Sequence, residues 1–380
     1  MNLPVFLDYN STTPIDERVL QEMLPYFSQK FGNASSRSHA FGWEAEAAVD
    51  LARKRTAQLI HAEPDEIIFT SGATEAINLA LKGAFESYRG KGNRIITVST
   101  EHKAVLDTCK HLEQTGAAIT YLGVDREGLI NLNELKKSFT DKTILVCIMA
   151  ANNETGVLQP IPQIASITHE HGAIMMSDTS QACGKINVDV NDGVDLLCMS
   201  AHKIYGPKGV GALYVRRKNP RVYLIAQMHG GGHEKNLRSG TLNVPGIVGM
   251  GKACELSEKE MWDDAARLSP LRTRLEQLLC DLQMVYINGS IRNRLPNTTN
   301  LSFEGIDGNE LIRELKDVAV ATGSACTSAL PEPSHVLSAM GLSKQLAQSS
   351  VRFSLGRYTT KEEIDFAVER VTKAVIKLRS

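Results

Sequence analysis

The sequence has little that would direct the protein to a membrane or a nucleic acid. Its formal net charge is -1, and it contains no run of about 18 apolar residues of the kind that crosses a bilayer. The N-terminus lacks a basic region followed by a long apolar segment. The near-neutral charge balance gives no general attraction to nucleic acid or to acidic membranes. We therefore expect a cytoplasmic protein whose partners are small molecules or other proteins.

Paired cysteines are also lacking. The seven cysteines form an odd set without a C-x-x-C pair, which predicts neither a disulfide framework nor a zinc knuckle. His229 and His233 are four residues apart, but the three glycines between them disfavour a helix that presents both to a metal, and we predict no metal site. Cys326 is different from the other cysteines. It lies in a run of small residues followed by Pro331 and Pro333, which predicts a thiol on a mobile loop.

Strands and helices alternate regularly through the first two thirds of the chain. Strands are predicted at about 66–70, 94–99, 118–122, 143–149, 173–177, 194–199 and 210–215. Most of them are separated by segments with helical spacing of apolar residues. Repeated strand-helix units predict an α/β fold with a mostly parallel sheet that is covered by helices on both faces.

The pattern changes after a predicted helix at about 244–260. A second, charged helix is predicted at about 265–282, followed by short strands and a last helix at about 361–378. We interpret this part as a smaller α+β domain. The large domain is then expected at 15–260, and the small domain at 1–14 and 261–380.

A lysine follows one of the predicted buried strands. The apolar run Val194 to Met199 precedes Ser200, His202 and Lys203, just before a Gly/Pro turn. Lysine is seldom buried without a task, and desolvation lowers its pKa so that the neutral amine can hold an aldehyde cofactor as a Schiff base. Ser200 and His202 are then candidate donors to a cofactor phosphate. The alternative is a strand end with solvated polar side chains.

Other polar side chains also fall at strand ends, where ligands bind in parallel sheets. Gly72-Ala73-Thr74 offers backbone N–H groups, a hydroxyl and a helix N-terminus to a phosphate, although an ordinary helix cap has the same sequence. Asp178 pairs with a protonated ring nitrogen or caps a helix. His102 stacks on a flat cofactor or begins a helix. Asn153 and Gln181 are available to a phenolic oxygen. With the lysine, this set matches the needs of pyridoxal 5'-phosphate (PLP).

The sequence resembles the cysteine desulfurases of the class V aminotransferase fold, in the NifS/IscS-like group. The resemblance extends over nearly the whole chain and lies in these stretches: Leu7-Asp8-Tyr9 with Thr12-Thr13-Pro14, Phe69-Thr70-Ser71-Gly72-Ala73-Thr74-Glu75, Thr100-Glu101-His102-Lys103-Ala104-Val105, Asn152-Asn153-Glu154-Thr155-Gly156, His202-Lys203-Ile204-Tyr205-Gly206-Pro207-Lys208-Gly209, Gly230-Gly231-Gly232-His233-Glu234, Arg238-Ser239-Gly240-Thr241, Gly323-Ser324-Ala325-Cys326-Thr327-Ser328 and Val351-Arg352-Phe353-Ser354-Leu355-Gly356-Arg357. It implies a PLP-dependent transferase of fold type I, with a mostly parallel large domain and a smaller α+β domain.

The resemblance also implies a role for each candidate residue. Lys203 would hold PLP as a Schiff base and later remove the substrate Cα proton, and His102 would stack on the ring. Asp178 would pair with the ring nitrogen. Asn153 and Gln181 would lie near the cofactor oxygen and the substrate, whose carboxylate Arg352 would bind together with Asn153. The residues expected around the phosphate are Ala73, Thr74, Ser200, His202 and, from the other subunit of a homodimer, Thr241.

The implied reaction converts L-cysteine to L-alanine. Cys326 would attack the substrate sulfur and hold it as a persulfide for a sulfur-acceptor protein in iron-sulfur cluster assembly or thio-cofactor synthesis. A link to nucleic acid would be indirect, through tRNA thiolation. The sequence ends at Ser380, whereas housekeeping members continue with a tail that helps to dock the iron-sulfur scaffold, and this leaves the acceptor open.

The chain departs from the family pattern at two further places. Asn10-Ser11 replaces a more usual Ser-Ala, and no consequence follows from the sequence. Thr179 and Ser180 differ from many relatives between Asp178 and Gln181, which predicts tuning of the site and not its loss.

Three alternatives remain open from the sequence. A selenocysteine lyase would use the same site on selenium. A small-molecule aminotransferase of the same fold would need no thiol in the 323–334 segment, so Cys326 disfavours it. A non-catalytic partner in sulfur assembly could keep the fold, although the complete set of candidate residues disfavours that interpretation.

Overall fold

The structure is a computed structural model that describes residues 3–322 and 333–380. Its strands are β1 (Val5–Phe6), β2 (Ile67–Thr70), β3 (Arg94–Val98), β4 (Ala118–Leu122), β5 (Thr143–Cys147), β6 (Ile174–Asp178), β7 (Leu196–Ser200), β8 (Gly211–Val215), β9 (Val285–Ile287), β10 (Thr298–Phe303), β11 (Val318–Ala319) and β12 (Ser350–Ser354). Its α-helices are α1 (Glu17–Met23), α2 (Pro25–Ser28), α3 (Ala40–Leu59), α4 (Ala73–Tyr88), α5 (Lys103–Gln114), α6 (Leu132–Ser138), α7 (Ile161–Glu170), α8 (Val244–Cys280), α9 (Gly308–Glu314), α10 (His335–Ala339), α11 (Lys344–Gln348) and α12 (Lys361–Arg379).

A seven-stranded sheet forms the centre of the molecule, in the order β2-β8-β7-β6-β5-β3-β4. The five strands from β7 to β4 in this order are parallel, while β8 runs antiparallel to both β7 and β2. This confirms the predicted α/β fold with a mostly parallel sheet. Helices cover both faces, so neighbouring residues of one strand enter different cores. Leu197 of β7 packs in the core that contains residues of α3 and α8, and Leu196 packs in the core that contains residues of α4 and α5.

Helix α8 differs from the sequence prediction because it is one helix of 37 residues, without the break expected between residues 260 and 265. The charged residues in that stretch lie on the helix surface, where Asp264 forms a salt bridge with Arg357. The first part of α8 contributes Val248 to the core beside α3, and the last part contributes Leu275 to the core of the second sheet. The helix therefore crosses the expected boundary at residue 260, and the division into two domains stays a prediction.

The second sheet is antiparallel, in the order β12-β10-β9, and β1 pairs in parallel with β11. A bridge between Asp8 and Ser354 joins the N-terminal segment to β12. The five-residue helices α10 and α11 were not predicted, because a single helical turn is too short to show apolar periodicity. In the described parts of the chain, no helix has the length and apolar character needed to cross a membrane.

Candidate active site

The candidate residues gather at the carboxyl ends of the central strands. β6 ends at Asp178 and β7 ends at Ser200, and the two strands are neighbours with Asp178 in register with Cys198. The turn from β2 into α4 lies against the same edge. A Cβ added to Gly211 would lie 2.7 Å from the Cα of Gly72, so Gly211 must be glycine for this close approach of backbone, while Gly72 has a φ of +154° that favours glycine. The sheet thus brings the predicted phosphate loop and the predicted ring partner to one edge.

Lys203 lies in a short 3-10 turn directly after β7 and is partly buried. Its Nζ donates to the carbonyl oxygens of Asn10 at 2.6 Å and Ser11 at 2.7 Å. The N-terminal segment is held there by backbone contacts, since Thr13 N donates to the His202 carbonyl at 2.9 Å. The substituted pair Asn10-Ser11, from which no consequence was predicted, therefore contacts the candidate Schiff-base lysine through its backbone carbonyls.

The predicted phosphate donors surround the start of α4. Gly72 is the N-cap of α4 and supplies no side chain, so Thr74 lies in the first turn and is not the cap. A Cβ on Gly72 would come within 3.8 Å of Ser200 Oγ, and the glycine leaves that hydroxyl uncovered from this side. Burial, with Lys203 and Lys208 nearby, lowers the pKa of His202 to about 4. The imidazole is therefore neutral at pH 7. The Nδ1 of that ring lies 3.2 Å from Thr12 Oγ1.

Thr241 was expected to reach the phosphate of the other subunit. It precedes α8 and is exposed on its own chain. That role stays a prediction.

His102 is the N-cap of α5, and its Nδ1 accepts a hydrogen bond from Ala104 N at 3.1 Å. The sequence left open whether this histidine begins a helix or faces a cofactor, and the two are compatible. His102 and Thr74 line one cavity of about 370 Å³. Desolvation lowers the pKa of His102, Asp178 opposes that shift, and the positive charge of Lys203 adds to it.

The turn after β6 carries Asp178 and Gln181. Asp178 Oδ1 accepts from the backbone N of Ser180 at 2.9 Å and from its hydroxyl at 2.5 Å. Ser180 therefore fixes the carboxylate, which is a physical role for one of the two departures noted in this turn. Gln181 Nε2 donates to the carbonyl oxygen of Asn10 at 2.9 Å.

The sequence analysis missed Lys185. Its Nζ donates to Gln181 Oε1 at 2.6 Å and lies 3.3 Å from Asn10 Oδ1. Burial lowers the pKa of Lys185 to about 7, and the charges of Lys203 and Arg352 act in the same direction. The two residues are four positions apart, but Gly184 between them has a φ of +71° and is not helical, so no local pattern in the sequence signals the contact.

Arg352 lies in β12, which pairs with β10, and its guanidinium is directed toward the N-terminal segment and the Asn153 loop. Nη2 donates to Asp8 Oδ1 at 2.6 Å, and Nη1 donates to the carbonyl oxygen of Asn153 at 2.9 Å. The structure thus brings together Arg352 and Asn153, the two residues expected at the substrate carboxylate. Asp8 supplies a carboxylate to the arginine within the chain itself.

Glu154 is a second residue that the sequence analysis did not single out as functional. It is buried, its Oε2 accepts from the hydroxyl of Ser334 at 2.5 Å, and its carbonyl accepts from Asn300 Nδ2 at 3.3 Å. Burial raises the pKa of Glu154 to about 7, although Ser334 and Arg352 oppose the shift. Cys326, the predicted nucleophile, lies outside the described residues.

A family model described as aminotransferase class-V matches residues 5–366. The chain belongs to the class-V aminotransferase family. It is 54% identical to the cysteine desulfurase IscS of Salmonella schwarzengrund over 382 aligned positions, covering 100% of this chain and 94% of that protein. It is also 54% identical to cysteine desulfurase IscS of an Anaeromyxobacter species, again over 100% of this chain and 94% of the relative.

Solved structures of similar proteins agree in fold. A NifS-like protein superposes with a TM-score of 0.91 at 39% identity, covering 97% of this chain and 98% of that one. A NifS-like protein from Rickettsia africae superposes with a TM-score of 0.87 at 30% identity, covering 98% and 99%. A structure described as SspA in complex with cysteine has a TM-score of 0.83 at 37% identity and covers 94% and 100%. These findings confirm fold type I.

As a class-V aminotransferase, the protein is a PLP-dependent enzyme, and the residues at the sheet edge fit that cofactor. The close approach of Gly72 and Gly211 leaves backbone and the Ser200 hydroxyl available at the start of a 16-residue helix, which suits a phosphate. Lys203 supplies an amine for an aldehyde, and Asp178 supplies a buried carboxylate for a pyridine nitrogen. The set therefore contains groups that suit the phosphate, the aldehyde and the ring nitrogen of PLP.

Proposed function

We propose that this protein is a cysteine desulfurase, which converts L-cysteine to L-alanine and holds the sulfur as a persulfide on Cys326. One observation carries the proposal. Lys203 is held against Asn10 and Ser11 at the end of β7, next to Asp178 at the end of β6, in a chain 54% identical over its full length to cysteine desulfurases.

We assign the binding of PLP to the residues at this edge. Lys203 would hold the aldehyde carbon, Asp178 the ring nitrogen, His102 the ring face, and Asn153 and Gln181 the side of the ring that bears the phenolic oxygen. The phosphate would be bound by Ala73, Thr74, Ser200, His202 and the Thr241 of a second subunit. When bound, PLP withdraws electrons from the substrate carbons and so acidifies the Cα–H bond.

Lys203 would act on the substrate as a base. The carbonyl oxygens of Asn10 and Ser11 accept hydrogen bonds from its Nζ and define a resting position for the amine. As a free amine, Lys203 would be able to accept the Cα proton of the substrate. His102, whose pKa is lowered by desolvation and which borders a cavity with Thr74, would be a second group able to accept or return a proton.

Arg352 would bind the substrate carboxylate. A guanidinium suits this task because two of its N–H groups match the two oxygens of a carboxylate. In the structure Nη2 donates a hydrogen bond to Asp8, so the substrate carboxylate would replace the Asp8 carboxylate as its partner. The exchange keeps the buried charge of Arg352 paired throughout.

Cys326 would carry out the sulfur transfer. Its thiolate attacks the sulfur of the substrate, an S–S bond forms, and the C–S bond of the substrate breaks. The electron pair of that bond returns to the substrate carbon, which takes up a proton, so cysteine and a thiol become alanine and a persulfide. No external oxidant or reductant is required.

The finer assignments are part of the same proposal. The active form would be a homodimer, because Thr241 is expected to complete the phosphate site of a second copy. The compartment would be the cytoplasm. The sulfur would pass to an acceptor protein for iron-sulfur cluster assembly or thio-cofactor synthesis.

The test is an absorbance spectrum of the purified protein followed by alanine and sulfide assays with L-cysteine. A cofactor band that Lys203→Ala alters, together with desulfuration that Cys326→Ala abolishes, supports the proposal. Cys280→Ala is the matched control, because Cys280 lies at the end of α8. If Cys326→Ala releases sulfur at the native rate, the thiol is not the nucleophile. Selenocysteine lyase and aminotransferase activities, measured with selenocysteine and with keto acids, would then be favoured.

A further inference from the structure

Lys185 reaches the site because of the glycine that precedes it. The turn after β6 is closed by backbone bonds from Cys183 N to the Thr179 carbonyl and from Lys185 N to the Ala182 carbonyl. Gly184 has φ +71°, and a Cβ there would lie 2.7 Å from a methyl group of Ile204. The chain can take this path only with glycine, and the path returns the side chain of Lys185 to Gln181, four residues earlier.

The ammonium of Lys185 determines how the Gln181 amide is oriented. In its protonated form Lys185 is only a donor, so the amide oxygen then faces Nζ across the 2.6 Å contact. The amide nitrogen of Gln181 then faces the carbonyl oxygen of Asn10, to which it donates at 2.9 Å. A charge-assisted hydrogen bond to the amide oxygen also makes the N–H groups of Gln181 stronger donors.

Asn10 connects Lys185 to the catalytic lysine. Its backbone carbonyl accepts from Gln181 Nε2 and from Lys203 Nζ, while its side-chain oxygen lies 3.3 Å from Lys185 Nζ. The Asn10 side chain is held in place because Nδ2 donates to Thr298 Oγ1 at 3.0 Å. The two lysines are therefore bonded to different oxygens of one residue.

Lys185 is an unusual lysine for a purely structural role. In the described parts of the chain it forms hydrogen bonds to two amide oxygens but no salt bridge to a carboxylate. Desolvation, together with Lys203 and Arg352, lowers its pKa to about 7. A buried ammonium without a carboxylate destabilises the fold, which is typical of a residue kept for the site that it faces.

The charged and titratable groups around Lys185 come from several elements. Lys203 follows β7, Arg352 lies in β12 and Cys183 belongs to the same turn as Lys185. Asp264 of α8 lines a cavity of about 20 Å³ that Lys185 and Lys203 both border. A space of that size holds one water molecule, and the two amines border it together.

We propose that Lys185 is a positioning residue for the cofactor. It orients the Gln181 amide toward the phenolic side of PLP and, through Asn10, fixes the resting place of Lys203. The inference rests on the proposed function, since it assumes that PLP occupies the site. Removal of Lys185 takes away a positive charge and a polarised donor, and both changes favour the protonated form of the PLP-bound amine.

The experiment is a pH titration of the cofactor absorbance in four proteins: the native chain, Lys185→Met, Gln181→Ala and the double variant. We expect Lys185→Met to raise the midpoint by roughly half a pH unit or more, as suits the loss of one partly desolvated charge. If Lys185 acts through Gln181, its effect shrinks in the Gln181→Ala background. The cofactor content of the native protein is measured first, so a failure of the proposed function appears as a native chain without a band.

Matched variants separate positioning from folding. Lys252→Met removes a half-buried lysine of α8 that is paired with Glu255, and it should leave the midpoint unchanged. Lys185→Gln keeps a donor without the charge and replaces Lys185→Met if that variant does not fold. An unchanged midpoint in a folded Lys185 variant that binds PLP overturns the proposal, and so does an equal shift with and without Gln181.

Discussion

Arg352 and Asp8 form an ion pair in which the guanidinium Nη2 lies 2.6 Å from the carboxylate Oδ1. The arginine assigned to the substrate carboxylate is thus already bonded to a carboxylate of its own chain. Both side chains are largely buried, at 10% and 19% exposure, so the charges are weakly screened. Asp8 acts in this account as a stand-in that substrate must displace.

Arg352→Lys should raise the KM for cysteine by roughly tenfold or more, because an ammonium cannot make the two-pronged bond to a carboxylate. The expected change in kcat is smaller. Steady-state kinetics of alanine formation measure both, and Arg274→Lys, which alters a surface pair with Asp365, is the control. If the KM of Arg352→Lys equals the native KM, Arg352 does not bind the substrate carboxylate.

Asp8→Asn should have the opposite effect on KM. The amide removes the charge that competes for Arg352, so the substrate carboxylate should bind more tightly, by a factor of about 2 to 10. The same kinetic assay checks this result. A KM that rises as strongly in Asp8→Asn as in Arg352→Lys would mean that Asp8 orients the arginine and does not compete for it.

Glu154 should make stability depend on pH. Because burial raises the pKa of Glu154 from 4.5 to about 7, the folded state holds one proton more than the unfolded chain between these values. The free energy of unfolding should therefore fall as pH rises through this window, by up to roughly 3 kcal/mol. Glu154→Gln does not titrate and should lose this dependence.

Denaturant unfolding of the Glu154→Gln and native proteins from pH 5 to pH 8 checks the expectation. Glu46→Gln, on the exposed side of α3, is the control. Parallel pH curves for native and Glu154→Gln would show that the Glu154 carboxyl does not titrate in this window.

His102 combines a flat ring with a titratable nitrogen, and His102→Phe separates the two. Phenylalanine keeps a face for stacking, so cofactor content should stay within about twofold of the native value, while the loss of the proton-carrying group should lower kcat by roughly 100-fold or more. His102→Ala should lose both. Absorbance and alanine formation measure the two quantities. If His102→Phe loses activity and cofactor to the same extent, His102 binds the cofactor but does not transfer a proton.

Ser200→Ala should weaken cofactor binding without unfolding the protein. The variant removes one hydroxyl next to Gly72, so the dissociation constant for PLP should rise by roughly 5- to 15-fold. Added inorganic phosphate should compete less well with PLP in the variant than in the native protein. Ser177→Ala, directly before Asp178 but with its hydroxyl bonded to the Ile148 carbonyl, is the control. Unchanged affinity in Ser200→Ala would place the phosphate elsewhere.

The sequence predicted most of the sheet because buried parallel strands are continuous apolar runs, of which β5 and β7 are examples. It predicted two helices, at about 244–260 and 265–282, with a break between them. The structure instead places Asp264 on the surface of a continuous helix, where it pairs with Arg357. Tertiary pairing of this kind has no local signal.

The positions of Asp178 and Lys203 at strand ends were predictable from the sequence, because each follows an apolar run, and their roles stay a prediction. The candidate site was less predictable where function depends on contacts between distant segments. Asn10 contacts Gln181, Lys185 and Lys203 across more than 170 positions of sequence, so no pattern within one segment could reveal it.

The most direct test of the central claim is mass spectrometry of the protein after one turnover with L-cysteine in the absence of an acceptor. We predict that the peptide with Cys326 gains the mass of one sulfur atom, with one alanine formed per active site. The Cys326→Ala protein should form neither. Alanine formation without added sulfur on Cys326, or sulfur on another cysteine, would contradict the persulfide account.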